Sequence, residues 1–124
     1  MITIGESFEL LLETLKHSNS NVLTLSDELI EYYLLEEFAI EAPAYLSKFT
    51  LDRLSNEGII DEEILGKCRE LQSVYFLVDQ IKVWDSPSIK KSSEWNEIFS
   101  LSDQICELIH KKWTDEEIEY LKTL

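Results

Sequence analysis

Two histidines, two cysteines and many carboxylates are the residues through which this chain could do chemistry. His17 falls at a predicted helix end and His110 stands beside Lys111 and Lys112. Both read as surface or helix-end side chains. Glu107-Leu108-Ile109-His110 is the one Glu-x-x-His sequence in the chain. A two-metal site in a helical bundle takes that pattern twice, with further inward-facing acids, so a single copy predicts a surface pair. No Cys-x-x-Cys, His-Glu-x-x-His or calcium-loop pattern is present, and Gly5, Gly58 and Gly66 stand alone instead of forming a phosphate loop. No serine or lysine has a His or Asp arrangement that reads as an activated nucleophile. The residues therefore predict binding without catalysis, and no metal or cofactor.

Carboxylates are placed unevenly. Residues 1–63 hold fourteen acids against Lys16, Lys48 and Arg53, and residues 64–124 hold eleven acids against eight bases, which gives −11 and −3 of the net −14. A charge of that sign repels nucleic acid and anionic membrane, and attracts a basic protein. The densest stretch is Asp27 to Glu41, where Asp27, Glu28, Glu31, Glu36, Glu37 and Glu41 are interleaved with Tyr32, Tyr33 and Phe38. Adjacent helical residues point about 100° apart, whereas Glu37 and Glu41, four apart, share a face. Two neighbouring tyrosines on a helix cannot both point inward, so one of Tyr32 and Tyr33 must be partly exposed. Aromatic area ringed by acids suits a basic partner. Asp27, Glu28, Glu31, Tyr33, Glu37 and Glu41 are accordingly the candidate partner-binding residues. The bland alternative is a solvated acidic face over a core containing Tyr32 and Phe38.

The elements that must position these residues are helices. Only three glycines and two prolines occur, too few for a sandwich or barrel. Phe8, Leu11, Leu12 and Leu15 recur at three- and four-residue steps, predicting a helix from about Glu6 to His17, broken by Ser18-Asn19-Ser20-Asn21. Thr24 or Ser26 caps the next one, and Leu29 to Leu35 is apolar nearly all round, predicting a central helix. A further pattern runs from Phe38 to Leu54, with Pro43 either starting or kinking it. Gly58 before Ile59 reads as a left-handed C-cap. Asp61 caps a long helix to about Ile81, residues 84–88 read as a loop, and Ser92 or Ser93 restarts a helix to about Lys112. Thr114 to Glu117 is a capping box for a short last helix. The tryptophans Trp84, Trp95 and Trp113 read as core and loop anchors.

The expectation is an all-α protein, a single domain over 1–124, built as an antiparallel bundle-like array of five to six helices. No apolar run approaches the roughly 20 residues that span a bilayer, and Met1 to Glu6 lacks the features of a signal peptide, so a cytoplasmic protein is expected. Cys68 and Cys106 lie in helical apolar patterns and read as reduced core thiols.

The layout Glu36-Glu37-Phe38-Ala39-Ile40-Glu41, Leu46, Leu51-Asp52-Arg53-Leu54, Glu57-Gly58-Ile59-Ile60 and Asp61-Glu62-Glu63 is a helix, a short turn with an apolar pair, and a capped helix. With the size, acidity and helical content, it resembles the small acidic all-helical bacterial immunity proteins that neutralise secreted or contact-delivered toxins. The resemblance covers roughly residues 36–78. Tyr32-Tyr33 is also similar to the paired tyrosines of colicin-nuclease immunity proteins, although the flanking residues differ and this chain is longer. What the resemblance implies is an acidic, aromatic binding face and a stoichiometric block on a toxin domain, a nuclease with a basic cleft being one such target. A helical adaptor or regulator for another cytosolic protein, or a nucleic-acid mimic, fits the same residues.

Overall fold

Oxygen-bearing side chains stand at nearly every helix start, accepting backbone N–H groups that the first turn leaves unpaired. A computed structural model of the chain describes residues 2–81 and 84–124. Thr3 opens α1 (Ile4–Lys16) and Ser26 opens α2 (Asp27–Glu31). A 3₁₀ turn, Ser20–Thr24, lies between them. α2 continues without a break through a π-helical segment (Tyr32–Glu37) into α3 (Phe38–Tyr45). Ser47 then opens α4 (Lys48–Asn56), Asp61 opens α5 (Glu62–Asp79) and Asp85 opens α6 (Ser86–Lys91). Ser92 opens α7 (Ser93–Lys112), and the Thr114–Glu117 capping box opens α8 (Asp115–Leu121).

The protein is all-α, with no strand among the described residues. Counting α2 to α3 as one, there are seven helices among those residues, more than the five to six expected. The added one is α6. Pro87 falls in its first turn, where the missing N–H has no intrahelical partner to lose, so residues 86–88 coil instead of looping. The joint expected before Phe38 also moves. Pro43 neither starts nor ends a helix but sits inside α3, and the chain turns at Ser47, whose hydroxyl donates to the Ala44 carbonyl at 2.8 Å.

Pro43 leaves the carbonyl four residues earlier, that of Ala39, without its helical donor. The Tyr75 hydroxyl of α5 donates to that oxygen at 3.2 Å. One tyrosine thus mends the ladder and ties α3 to α5.

A continuous set of buried side chains runs through the fold: Phe8, Leu11 and Leu15 of α1, Ile30, Leu34 and Phe38 of the long helix, Leu54, Leu71, Ile98 and Ile105 beyond it, all 0 % exposed. The most extensive packing is between α5 and α7. The segment Leu29 to Leu35 is central on one side only: Ile30 and Leu34 are buried, but Leu29 is 42 % and Tyr32 44 % exposed. Trp95 is a core residue, while Trp84 and Trp113 are anchors whose indole N–H groups donate to the carbonyls of Val78 and Ile59.

Two glycines are required by position. Gly58 has φ 75°, and the bonds from Gly58 to Ser55 and from Ile59 to Leu54 complete the predicted left-handed cap. A Cβ on Gly5 would lie 2.3 Å from the Lys122 carbonyl oxygen, so glycine there lets the chain end close over α1.

Candidate functional site

The long helix 27–45 carries all six candidate residues, and its π-helical segment decides where they point. A π turn holds one residue more than an α turn, so it rotates everything after it by about 100° relative to α2. The acids of α2 and those at the end of the π-helical segment and beyond consequently face different surroundings.

Glu28 and Glu31 of α2, with Tyr32, Leu35 and Glu36 of the π-helical segment itself, line a shallow groove of about 320 Å³. Among the described residues none of these three glutamates is ion-paired. Asp27 is set apart from them. The Ser86 hydroxyl donates to it at 2.9 Å and the Lys90 ammonium at 3.3 Å, which together hold its carboxyl below the ordinary 3.8. Asp27 thus fastens α2 to α6.

At the end of the π-helical segment and one turn beyond it, Glu37 and Glu41 meet His17. The C-terminal end of α1 is held by buried polar contacts: Ser18 bonds to Ser102 of α7 at 2.8 Å and to the Thr14 carbonyl, and Asp103 accepts from the Ser20 backbone N–H. His17, the C-cap residue, is thereby presented to the long helix. Its Nδ1 lies 2.7 Å from Glu41 Oε1, its Nε2 lies 3.9 Å from Glu13, and Tyr33 stacks on its ring at 5.1 Å and 14°. Glu37 stands beside them and accepts a 2.5 Å hydrogen bond from the Tyr32 hydroxyl. That bond holds the Tyr32 proton above its ordinary value of 10.0. Donor atoms of His17, Glu37 and Glu41 lie within 4.8 Å of one another, the one such group among the described residues.

The reading of His17 as a plain surface or helix-end side chain is therefore incomplete: it is a half-buried partner to acids on another helix. Glu13, four residues before it, is the local sign that sequence offers; the pairing with Glu41 across 24 residues leaves none. Of the two tyrosines, Tyr32 is the exposed one and Tyr33 is half-buried under the imidazole. Glu41 is only 9 % exposed.

Burial pushes the Glu41 carboxyl above its ordinary 4.5, the His17 hydrogen bond opposing and Glu37 and Glu13 adding. A folded-state value above the unfolded one means that ionisation costs stability. The contribution is complete below about pH 4.5 and is lost as pH rises through the folded value. Glu41→Gln cannot ionise and keeps an oxygen for His17. Urea unfolding at about pH 4 and about pH 7 is expected to show the variant gaining on the parent as pH rises. A variant-minus-parent stability difference that stays flat or falls as pH rises would refute the burial-driven shift.

The other chemistry-bearing residues do not converge. Glu107 lies 3.7 Å from Lys111, whereas His110 faces the Cys106 carbonyl and Asp115. Cys68 and Cys106 are unbonded thiols pushed by burial up to about 12 and about 11. Such thiols stay protonated at neutral pH and are poor nucleophiles. No described helix is long and apolar enough to cross a membrane. No protein-family model, curated protein or solved structure matches the chain.

Proposed function

We propose that the chain is a stoichiometric binding protein that docks on a basic protein through the groove lined by Glu28, Glu31, Tyr32, Leu35 and Glu36, and that the partner is a toxin domain it neutralises. The observation that carries the docking is three glutamates without ion-pair partners among the described residues, set around an exposed tyrosine. Surface acids with no partner of their own are free to meet Arg or Lys and steer a basic protein in, and a rigid aromatic beside them supplies apolar contact area. The toxin assignment rests on the resemblance of residues 36–78 and of the tyrosine pair to immunity proteins. A nuclease suits it, because a cleft that holds phosphates is basic and an acidic face covers it.

Tagged protein would be used to capture partners from its native lysate at low and high salt, beside a Glu28→Lys, Glu31→Lys, Glu36→Lys variant. The expected result is one basic protein retained at low salt, bound at least roughly tenfold more weakly by the variant, with its activity abolished at one equivalent. A neutral partner held equally by both forms would overturn the acidic-face reading. It would instead favour an adaptor that uses exposed apolar side chains such as Ile40 (76 %) and Phe49 (66 %).

A further inference from the structure

We propose that His17, Glu37 and Glu41 form a binding site for a divalent transition-metal ion of the zinc class. The inference is independent of the partner-docking groove and stands on four observations. The ligand types agree: one imidazole and two carboxylates suit zinc and its first-row neighbours, whereas calcium and magnesium take oxygen alone. The spacing is within reach. A tetrahedral ion with bonds of roughly 2.0–2.2 Å needs donor atoms about 3.3–3.5 Å apart. The trio lies within 4.8 Å, and the 2.7 Å His17–Glu41 contact opens by well under ~1 Å to admit the ion between them.

Electrostatics point the same way. Glu13, Glu37 and Glu41 converge on a single imidazole, and none of the three is ion-paired to Lys or Arg among the described residues. A carboxylate taken largely out of water needs a cation or a proton. Glu41 is only 9 % exposed, and the fold supplies it only a histidine. A bound ion would supply the missing positive charge.

The surroundings also have the form of a supporting shell. With Nδ1 on the ion, the Nε2 edge faces Glu13, the carboxylate arrangement that orients metal-bound histidines. Tyr33 stacks on the ring, and Tyr32 holds Glu37 by one oxygen, leaving the other for the ion. Glu37, the last residue of the π-helical segment, and Glu41, four residues on in α3, reach one face, beside a distortion that occurs frequently at functional sites. A neighbouring groove of about 380 Å³, lined by His17, Asn19, Thr24 and Tyr33, gives solvent a route to the imidazole. Three protein ligands leave a fourth position for water.

Calorimetric titration of the full chain with Zn²⁺, and visible spectroscopy with Co²⁺, test the site. The expected result is one equivalent of Zn²⁺ bound, with affinity at least roughly tenfold weaker in His17→Gln and in the Glu37→Gln, Glu41→Gln double variant. His110→Gln should bind like the parent. Cobalt should give tetrahedral absorption bands that saturate at one equivalent and disappear in His17→Gln. Circular dichroism confirms that each variant is folded. The parent chain decides the matter even where a variant fails to fold: no saturable uptake of either ion by the parent overturns the proposal. So does parental uptake that His110→Gln removes and His17→Gln retains.

Discussion

Replacing Phe38 by Ala is expected to destabilise the chain by about 3–5 kcal/mol, a large part of the roughly 5–15 kcal/mol that holds such a domain folded. The Phe38 ring is 0 % exposed. It meets Tyr75 edge-on at 5.3 Å and 88°, and Trp95 at 6.3 Å and 58°. Trp95 continues the layer to Trp84 and Phe99, each 6.1 Å away. Phe38 is thus the side chain through which α3 joins the packed α5 and α7. The Trp95 indole N–H has no partner among the described residues. Among the described residues ring packing holds that tryptophan, and truncating Phe38 leaves a void beside it. Urea denaturation should show a lower midpoint with an unchanged slope. Tyr32→Ala, six residues earlier and 44 % exposed, should stay within about 0.5–1 kcal/mol of the parent. Similar losses at both positions would mean that Phe38 is not the joint between these helices.

What sequence reveals here follows from how local each cause is. Asp61 and Thr114 are read correctly as caps, and Ser92 as one of two candidates with Ser93, because a cap needs only the next three residues. Gly58 is legible for the same reason, since its φ of 75° serves a turn completed within six residues. The all-α class follows from many such local signals agreeing. α6 is missed where two local rules compete: a serine before proline disfavours helix, but a proline in the first turn favours it. The π-helical segment leaves no mark in composition, so the turn that separates Glu28 and Glu31 from Glu37 and Glu41 cannot be read from spacing. The shared face of Glu37 and Glu41 can be. Their partner cannot, because His17 arrives from α1 by packing, as Ser86 and Lys90 arrive at Asp27 from 59 and 63 residues away. One acidic stretch in sequence therefore becomes three environments: a groove without ion pairs, a helix-to-helix tie and a histidine cluster.

The bond between Tyr75 and the Ala39 carbonyl should be coupled to Pro43, and the coupling is measurable. Burial, with Asp79 beside it, pushes the Tyr75 hydroxyl up to about 12, so it remains a donor throughout the neutral range. In the parent chain, Tyr75→Phe removes the donor from a carbonyl that the helix itself does not serve. The expected loss is about 1–2 kcal/mol, the cost of leaving a partly buried acceptor unsatisfied. Pro43→Ala acts on the same oxygen from the other side. Residue 43 is exposed, so alanine disturbs little packing, and its N–H can reach Ala39 along the helix. The variant should gain about 1–3 kcal/mol, the cost of an interior proline less the freedom it removes from the unfolded chain. With alanine at 43, the carbonyl has its helical donor, and Tyr75→Phe should then cost under about 0.5 kcal/mol, giving a coupling of about 1 kcal/mol in the double-mutant cycle. Additive effects would show that the hydroxyl matters for some reason other than the proline. A coupling of the expected size would identify Tyr75 as the residue that lets α3 carry Pro43 and still follow the π-helical segment, and so hold Glu41 against His17.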